Sequence, residues 1–160
     1  MPPARRPDDR PWYAEGLAFE CTLCGGCCSG PPGVVRFTDE EGAAIARRLG
    51  LSQREFLDRC THAGGLQGER SLNEVETEFG FDCVFLDRTS VPGKAVCGIY
   101  EDRPLQCRTF PWWPEHVASP RSWQRLGKSC EGVGRGPVVA YHQIRVQLER
   151  QSRGDGPVPG

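Results

Sequence analysis

The cysteine run at residues 19–30 constrains this chain more than any other stretch. Its sequence, Phe-Glu-Cys-Thr-Leu-Cys-Gly-Gly-Cys-Cys-Ser-Gly, uses the C-x2-C spacing twice and ends in a vicinal pair. Two residues between cysteines let the backbone turn and aim both thiolates at one metal ion, and Gly25 and Gly26 permit a tight path with positive φ. The run therefore predicts a metal site whose remaining ligands come from the rest of the chain.

The vicinal pair, Cys27 and Cys28, departs from a simple metal-binding pattern. Three thiols at this spacing also open the bacterial ferredoxin run, where three cysteines hold one cluster and a fourth serves another. Adjacent side chains of an extended backbone point to opposite faces, so we expect the two thiols to play different parts. Three roles remain open for Cys28: a ligand to a second metal, a bridge, or packing. An odd total of nine cysteines disfavours a disulfide framework.

Length and charge limit the class of protein. The 160 residues suit one domain, and the net charge of -1 comes from 20 basic and 21 acidic residues scattered along the chain. No strongly basic face is expected, so nucleic acid is not a predicted partner. The N-terminus lacks the apolar core of a signal peptide, and no apolar run approaches the length of a membrane span. We therefore expect a cytoplasmic protein whose reduced thiols are free for metal.

The segment patterns predict an α+β fold, with a cysteine-rich metal-binding loop, a short antiparallel sheet and a few helices. Residues 1–16 carry prolines and alternating charges and are expected to form a disordered arm outside the core. Residues 17–150 are expected to form the metal-binding domain. Residues 151–160 end in Gly and Pro and are expected to be a disordered tail.

Local signals place the first two helices. Thr38 with Glu41 and Ser52 with Glu55 form capping boxes, each of which predicts a helix start. Gly50 is placed to end the first of these helices in a left-handed cap.

Strands and a final helix are expected further along the chain. Residues 69–79 favour a strand over a helix because Val-Glu-Thr-Glu-Phe alternates. Residues 83–86 and 94–100 predict a hairpin around a Pro-Gly turn, with one cysteine on each arm. Pro137 is expected at the first position of a final helix, with Val138 among its apolar residues.

The ninth cysteine, Cys60, is predicted to be structural. It shares a face of the second helix with Phe56 and Leu57, where a small apolar side chain packs well. His62 follows directly, but a lone histidine at a helix end is more often a cap or a surface residue, so it is left out of the ligand set.

A short turn between two prolines is expected to present Cys107 with an arginine on each side. Arg103 and Arg108 could offset the negative charge of several thiolates and so contribute to binding a metal cofactor. Ordinary salt bridges with Glu101 or Asp102 are the alternative.

Setting Cys60 aside leaves eight candidate ligands, a number that suits two four-thiolate sites, two four-cysteine clusters, or one site with spare thiols. Soft thiolates favour zinc, copper(I) or iron–sulfur over magnesium and calcium. The ferredoxin-like triplet favours an iron–sulfur cluster slightly over zinc or iron bound alone. The eight are Cys21, Cys24, Cys27, Cys28, Cys83, Cys97, Cys107 and Cys130.

The motifs CTLCGGCC, CVFLD, CGIYEDRPLQCRTFPWW and CEGVGRG together resemble the YkgJ-like CxxCxxCC cysteine-cluster family over residues 19–136. The resemblance implies a zinc- or iron-chelating domain in which the same eight cysteines match the motif and Cys60 does not. The family includes a branch of flagellin lysine N-methylases whose members are longer. Because this chain lacks their extra sequence, methyl transfer is not inherited from the resemblance.

Two functions of different classes follow. The first is a metal-binding protein that serves electron transfer, metal handling or a partner enzyme. The second is a metal- or iron–sulfur-dependent enzyme that modifies a protein side chain, as a lysine N-methylase does. The first is favoured because the sequence shows no nucleophile–base pair and no paired carboxylates. The expected partner in either case is a protein.

Overall fold

The computed structural model describes residues 9–64 and 69–153. These residues form helices and short antiparallel strands, which confirms the predicted α+β class. The strands are β1 (Leu17–Phe19), β2 (Thr61–Ala63), β3 (Arg70–Leu72), β4 (Glu74–Thr77), β5 (Gly80–Cys83), β6 (Leu86–Asp87), β7 (Val96–Cys97) and β8 (Val133–Val139). The helices are α1 (Asp39–Leu49), α2 (Gln53–Cys60), α3 (Leu105–Thr109), α4 (Pro120–Leu126) and α5 (Tyr141–Ser152), with a 3-10 turn at Tyr100–Asp102.

Both predicted capping boxes are present. The Thr38 hydroxyl accepts from the Glu41 N–H at 3.1 Å, and the Glu41 carboxylate accepts from the Thr38 N–H at 2.9 Å. Ser52 and Glu55 make the same reciprocal pair at 3.1 and 2.7 Å. Gly50 ends α1 with φ 68°, the left-handed conformation that glycine adopts without steric cost. Local sequence therefore determines where α1 and α2 begin and where α1 ends.

The strands form four separate antiparallel pairs rather than one sheet: β1 with β8, β2 with β3, β4 with β5, and β6 with β7. Residues 69–79, predicted as one strand, contain two: β3, which pairs with β2, and β4, which pairs with β5 from Glu74 opposite Cys83 to Thr77 opposite Gly80. Each pair is too small to be stable alone, so its stability depends on packing against the helices and loops.

The predicted hairpin exists, but only one of its arms carries a cysteine. Leu86 pairs with Cys97 and Asp87 with Val96, so the arms are β6 and β7. Cys83 instead lies at the end of β5, in the preceding hairpin. The apolar run 83–86 predicted one strand, whereas the chain changes its pairing partner within that run, a change that periodicity cannot reveal.

The final helix begins at Tyr141, so the prediction that Pro137 opens it was wrong. Pro137 and Val138 lie in β8, and Val138 pairs with Ala18 of β1. The next β1 residue, Phe19, pairs with Val133, so residues 134–137 of β8 form an irregular bulge with no partner residue in β1. Proline is tolerated there because its missing N–H removes no ladder hydrogen bond.

Two apolar clusters form the core. The first lies around α4 and α5, where the indoles of Trp112 and Trp123 stack with centroids 5.4 Å apart. The second lies beneath α1 and α2 and contains Ile45, Phe56 and Ile99, each at most 1% exposed. Within the described ranges, no helix is long and apolar enough to cross a membrane.

Part of the predicted N-terminal arm belongs to the first cluster. Tyr13 is 6% exposed and packs against Tyr141 of α5, with ring centroids 5.8 Å apart. Excluding all of residues 1–16 from the core was therefore wrong, because proline content says nothing about a contact with a distant helix. Residues 1–8 and 154–160 of the predicted arm and tail lie outside the described residues.

Two substitutions in α5 test this core. Ile144 is fully buried, so Ile144→Ala should lower the free energy of unfolding by about 2–5 kcal/mol. Val146 lies two residues away and is 51% exposed, so Val146→Ala should change it by about 0.5 kcal/mol or less. Urea unfolding of both variants measures the difference, and equal losses would contradict the placement of α5.

Candidate metal centre

The first cysteine knuckle is held by its own backbone. The Gly26 N–H donates to the Cys24 sulfur at 3.4 Å, and the Cys28 N–H donates to the Gly25 carbonyl at 3.0 Å. Gly25 has the predicted positive φ, at 80°. Gly26 is needed for a different reason: a Cβ there would lie 2.1 Å from the Ser129 carbonyl oxygen. The knuckle therefore packs directly against the backbone that precedes Cys130.

The vicinal thiols do not point to opposite faces. The Cys27 and Cys28 sulfurs lie 3.4 Å apart, which corrects the expectation drawn from an extended backbone. The backbone turns at this point, as the hydrogen bond from Cys28 to Gly25 shows. Adjacent side chains can meet in such a turn, so both thiols are available on the same side of the loop.

Three later segments of the chain are hydrogen-bonded to the cysteine run. The Cys83 N–H of β5 donates to the Cys28 carbonyl at 2.7 Å. The Ala95 N–H donates to the Leu23 carbonyl at 2.8 Å, just before β7 and Cys97. The Glu20 N–H donates to the Gly132 carbonyl at 3.2 Å, two residues beyond Cys130. The backbone alone thus carries three distant cysteines to the run.

Cys107 reaches the same place on α3. The Leu105 N–H donates to the Glu41 carboxylate at 3.0 Å, which ties the start of α3 to the cap of α1. The Gln106 side chain donates to the Val34 carbonyl at 2.9 Å. These two contacts fix the helix that carries Cys107 between the first core helix and the loop that follows the cysteine run.

The thiols fall into two sets by the charges they exert on one another. The larger thiol group comprises Cys27, Cys28, Cys83, Cys97 and Cys107. The smaller thiol pair comprises Cys24 and Cys130, and Cys24 raises the pKa of Cys130. Cys27 links the two sets because its charge also acts on Cys130.

Cys21 is exposed and stands beside the smaller pair. Its neighbour Glu20 is bonded to Gly132, and its other neighbour Thr22 donates to the Glu131 carboxylate at 3.2 Å. The backbone at Cys21 thus runs alongside the segment that carries Cys130.

Burial and thiol contacts perturb the sulfur pKa values strongly. Burial raises the pKa of Cys107 to about 12 and the pKa values of Cys83 and Cys130 to about 11. A hydrogen bond from the Cys28 thiol lowers the pKa of Cys27 to about 7, and the same contact raises the pKa of Cys28. As pH rises in the metal-free protein, Cys27 therefore loses its proton before Cys28, Cys83, Cys107 and Cys130 do.

Backbone N–H groups favour the thiolate form of several cysteines. The backbone N–H groups of Phe85, Ile99 and Gly132 each lower the pKa of the cysteine two residues earlier, against the effect of burial. The Gly26 N–H also donates a hydrogen bond to the Cys24 sulfur. Such donors stabilise thiolates, the form that binds metal, so this donor set fits a soft metal ion chemically. Within residues 9–64 and 69–153, no three His, Cys, Asp or Glu side chains are already placed to hold one ion.

The two predicted arginines differ in their surroundings. Arg103 lies over the Tyr100 ring at 3.8 Å, and its charge opposes the rise in pKa that burial imposes on Cys97 and Cys107. Arg108 instead pairs with Glu41 at 3.5 Å. Asp102, offered as the alternative partner for these arginines, pairs with Arg48.

Cys60 lies apart from the other thiols. It packs against the second apolar cluster, as predicted from its helix face. Burial raises the pKa of Cys60, the positive charge of Arg59 opposes this rise, and no neighbouring thiolate contributes to it. The neighbouring His62 bonds to Asn73 at 2.9 Å.

An ion pair next to the thiols, formed by Arg88 and the buried Asp82, was not predicted from the sequence. The Arg88 guanidinium donates to both carboxylate oxygens of Asp82, at 2.7 and 3.0 Å. Asp82 immediately precedes Cys83 and is 4% exposed. An acidic residue in a short strand carries no sequence signal of burial, so only the fold could reveal this pair.

Comparison with known proteins places the chain in a family. The profile of the CxxCxxCC family, described as "Putative zinc- or iron-chelating domain", matches residues 20–131. The chain belongs to this family, and the match spans all eight predicted ligand positions. No solved structure gives a significant match.

This chain is also similar in sequence to a curated protein. That protein is "Uncharacterized protein MJ0661" of Methanocaldococcus jannaschii, 37% identical over 101 residues. The alignment covers 62% of this chain and 48% of the relative, so the chain spans about half the length of the curated relative that it matches.

Selective alkylation tests the charge distribution in the metal-free, reduced protein. Because its pKa is about 7, Cys27 should react with iodoacetamide in a phase whose rate rises through neutral pH. Cys107 and Cys130 should react much more slowly at pH 7.5 because their raised pKa values keep them protonated. Peptide mapping of the label identifies the sites, and Cys27→Ser should remove the fast phase. Equal labelling of Cys27 and Cys107 would contradict the assignment.

Proposed function

We propose that the eight cysteines outside Cys60 are the metal ligands of this chelating domain, and that they hold an iron–sulfur centre. The observation that supports this most is the convergence of thiols from segments far apart in sequence. The knuckle loop, β5, β7, α3 and the loop after α4 bring seven sulfurs into two linked sets, and Cys21 lies beside one of them. Packing alone does not require thiols to be gathered in this way.

We assign the ligands to two centres. Cys28, Cys83, Cys97 and Cys107 would hold one centre, since all four belong to the larger thiol group. The other would be held by Cys21, Cys24, Cys27 and Cys130. Cys27 is placed in the second set because its charge acts on Cys130. Its 3.4 Å contact with Cys28 also makes it the thiol at which the two centres would meet.

Iron–sulfur is favoured over zinc by two features. The C-x2-C-x2-C triplet matches the opening of the bacterial ferredoxin run. Backbone N–H donors next to the sulfurs, as at Cys24, are among the groups that set cluster potentials. Zinc in four-thiolate sites is the alternative, and it would make the centre structural rather than redox-active.

The proposed role is to serve a partner protein, by electron transfer or by metal handling. All nine cysteines are free thiols, which suits the reducing cytoplasm that we propose as the location. When bound, an iron–sulfur centre supplies one-electron chemistry, whereas the chain itself supplies ligands, N–H donors and neighbouring positive charge.

Anaerobic purification followed by metal and acid-labile sulfide analysis tests the proposed form. A brown protein with iron and sulfide in equal amounts is the expected result. Stoichiometric zinc without sulfide would contradict the iron–sulfur assignment and leave the ligand set intact. Protein free of both metals after anaerobic purification and reconstitution would contradict the function itself.

Single cysteine substitutions test the ligand set. Cys24→Ser and Cys107→Ser should each lower bound metal and thermal stability together, because metal binding contributes to folding energy. Cys60→Ser is the matched control and should leave metal content unchanged, since Cys60 lies apart from the other thiols. Equal metal loss in all three variants would show that the separation of Cys60 is incorrect.

A further inference from the structure

Arg88 occupies a position that the proposed ligands do not explain. Its guanidinium makes a two-pronged ion pair with Asp82, and its side chain is 23% exposed against 6% for that of Asp82. Asp82 also accepts a hydrogen bond from the Ser29 hydroxyl. Because Ser29 follows the vicinal cysteines, Asp82 connects the end of the cysteine run to Arg88.

The guanidinium is confined on its other sides as well. The Phe79 ring covers it, with the central carbon 4.0 Å from the ring centroid. A Cβ built on Gly25 would lie 3.5 Å from a terminal nitrogen of Arg88, so the guanidinium lies against the knuckle backbone. A charged group held by a carboxylate, an aromatic ring and a glycine has little freedom to move away.

The guanidinium lies beside the loop that carries the thiols. It packs on Gly25, between Cys24 and Cys27, and Asp82 joins it to Ser29, the residue after Cys28. Four thiolates around one divalent ion carry an excess of two negative charges, which is costly in a partly buried site. A guanidinium fixed beside this loop lowers that cost without being a ligand.

We propose that Arg88 is a positioning residue for the metal centre: anchored by Asp82, it holds the Gly25–Ser29 turn in place and offsets the thiolate charge of the cysteines in that turn. This role rests on the proposed metal-binding function. The role of Arg88 goes beyond that function because it attributes part of the metal affinity to a residue that is not a cysteine of the family's pattern. Arg108, which the sequence suggested for this task, pairs with Glu41, whose carboxylate is bonded to Thr38 and Leu105 rather than to the cysteine run.

Cobalt(II) is the probe, because thiolate-to-cobalt charge-transfer absorption reports binding directly. Arg88→Gln should weaken cobalt binding by about tenfold or more, the usual effect of removing a group that supports metal ligands. Arg88→Lys retains the charge but loses the two-pronged pair with Asp82, so its loss of cobalt affinity should be several-fold smaller than that of Arg88→Gln. Arg54→Gln is the control: Arg54 is on the exposed face of α2, 92% exposed, and its loss should change nothing.

Urea unfolding in the presence of a chelator separates the charge role from a purely structural one. A structural role alone would make the Lys and Gln variants lose affinity equally, in step with their metal-free stability, and this result would overturn the proposal. So would wild-type affinity in Arg88→Gln. If Arg88→Gln does not fold, the Lys variant decides: a loss of about tenfold with normal metal-free stability overturns the role of the charge. Absence of cobalt binding in every variant and in the wild type would refute the metal site, and with it this role.

Discussion

Backbone hydrogen bonds join the cysteine run to three later parts of the chain. The Cys28 carbonyl accepts a hydrogen bond from β5, and the Leu23 carbonyl accepts one from the segment before β7. The Glu20 N–H donates to the loop that follows Cys130. Each bond uses a backbone group that must find a partner in any compact state. The same bonds that satisfy this demand also collect the thiols, so the fold and the site are formed by one set of contacts.

The site lies between the two halves of the core. Phe19, at the start of the cysteine run, packs edge-on against Trp112 in the first cluster, with ring centroids 5.9 Å apart. Cys83 and Cys97 pack against the second cluster, beneath α1 and α2. A metal held by thiols from both sides would link the two clusters, in addition to its local bonding energy. This arrangement is the physical reason for expecting metal content and stability to change together.

Charge is the main constraint on such a site. Burial keeps the Cys107 thiol protonated well above neutral pH, whereas metal binding requires the thiolate. The chain reduces this cost with backbone N–H donors and with two guanidinium groups: Arg103, whose charge acts on Cys97 and Cys107, and Arg88, which lies against the backbone at Gly25. Both arginines are held by other protein groups, so their charge is in place before any metal binds.

Features determined by neighbouring residues could be predicted from the sequence, and features determined by distant contacts could not. The cap of α1 and the separation of Cys60 depend on spacing within one helix, and both were predicted. The β8 conformation of Pro137 depends on pairing with β1, and the burial of Tyr13 depends on α5. The partner of Arg88 was likewise hidden, because the burial of Asp82 follows from its contact with the cysteine run.

X-ray absorption at the edge of the bound metal identifies the atoms that bind it. If the gathered thiols are the ligands, the first shell is made of sulfur alone, at about 2.3 Å, with four sulfurs per metal atom. A shell dominated by nitrogen or oxygen at about 2.0–2.2 Å would contradict it, because it would show that the gathered thiols are not the ligands.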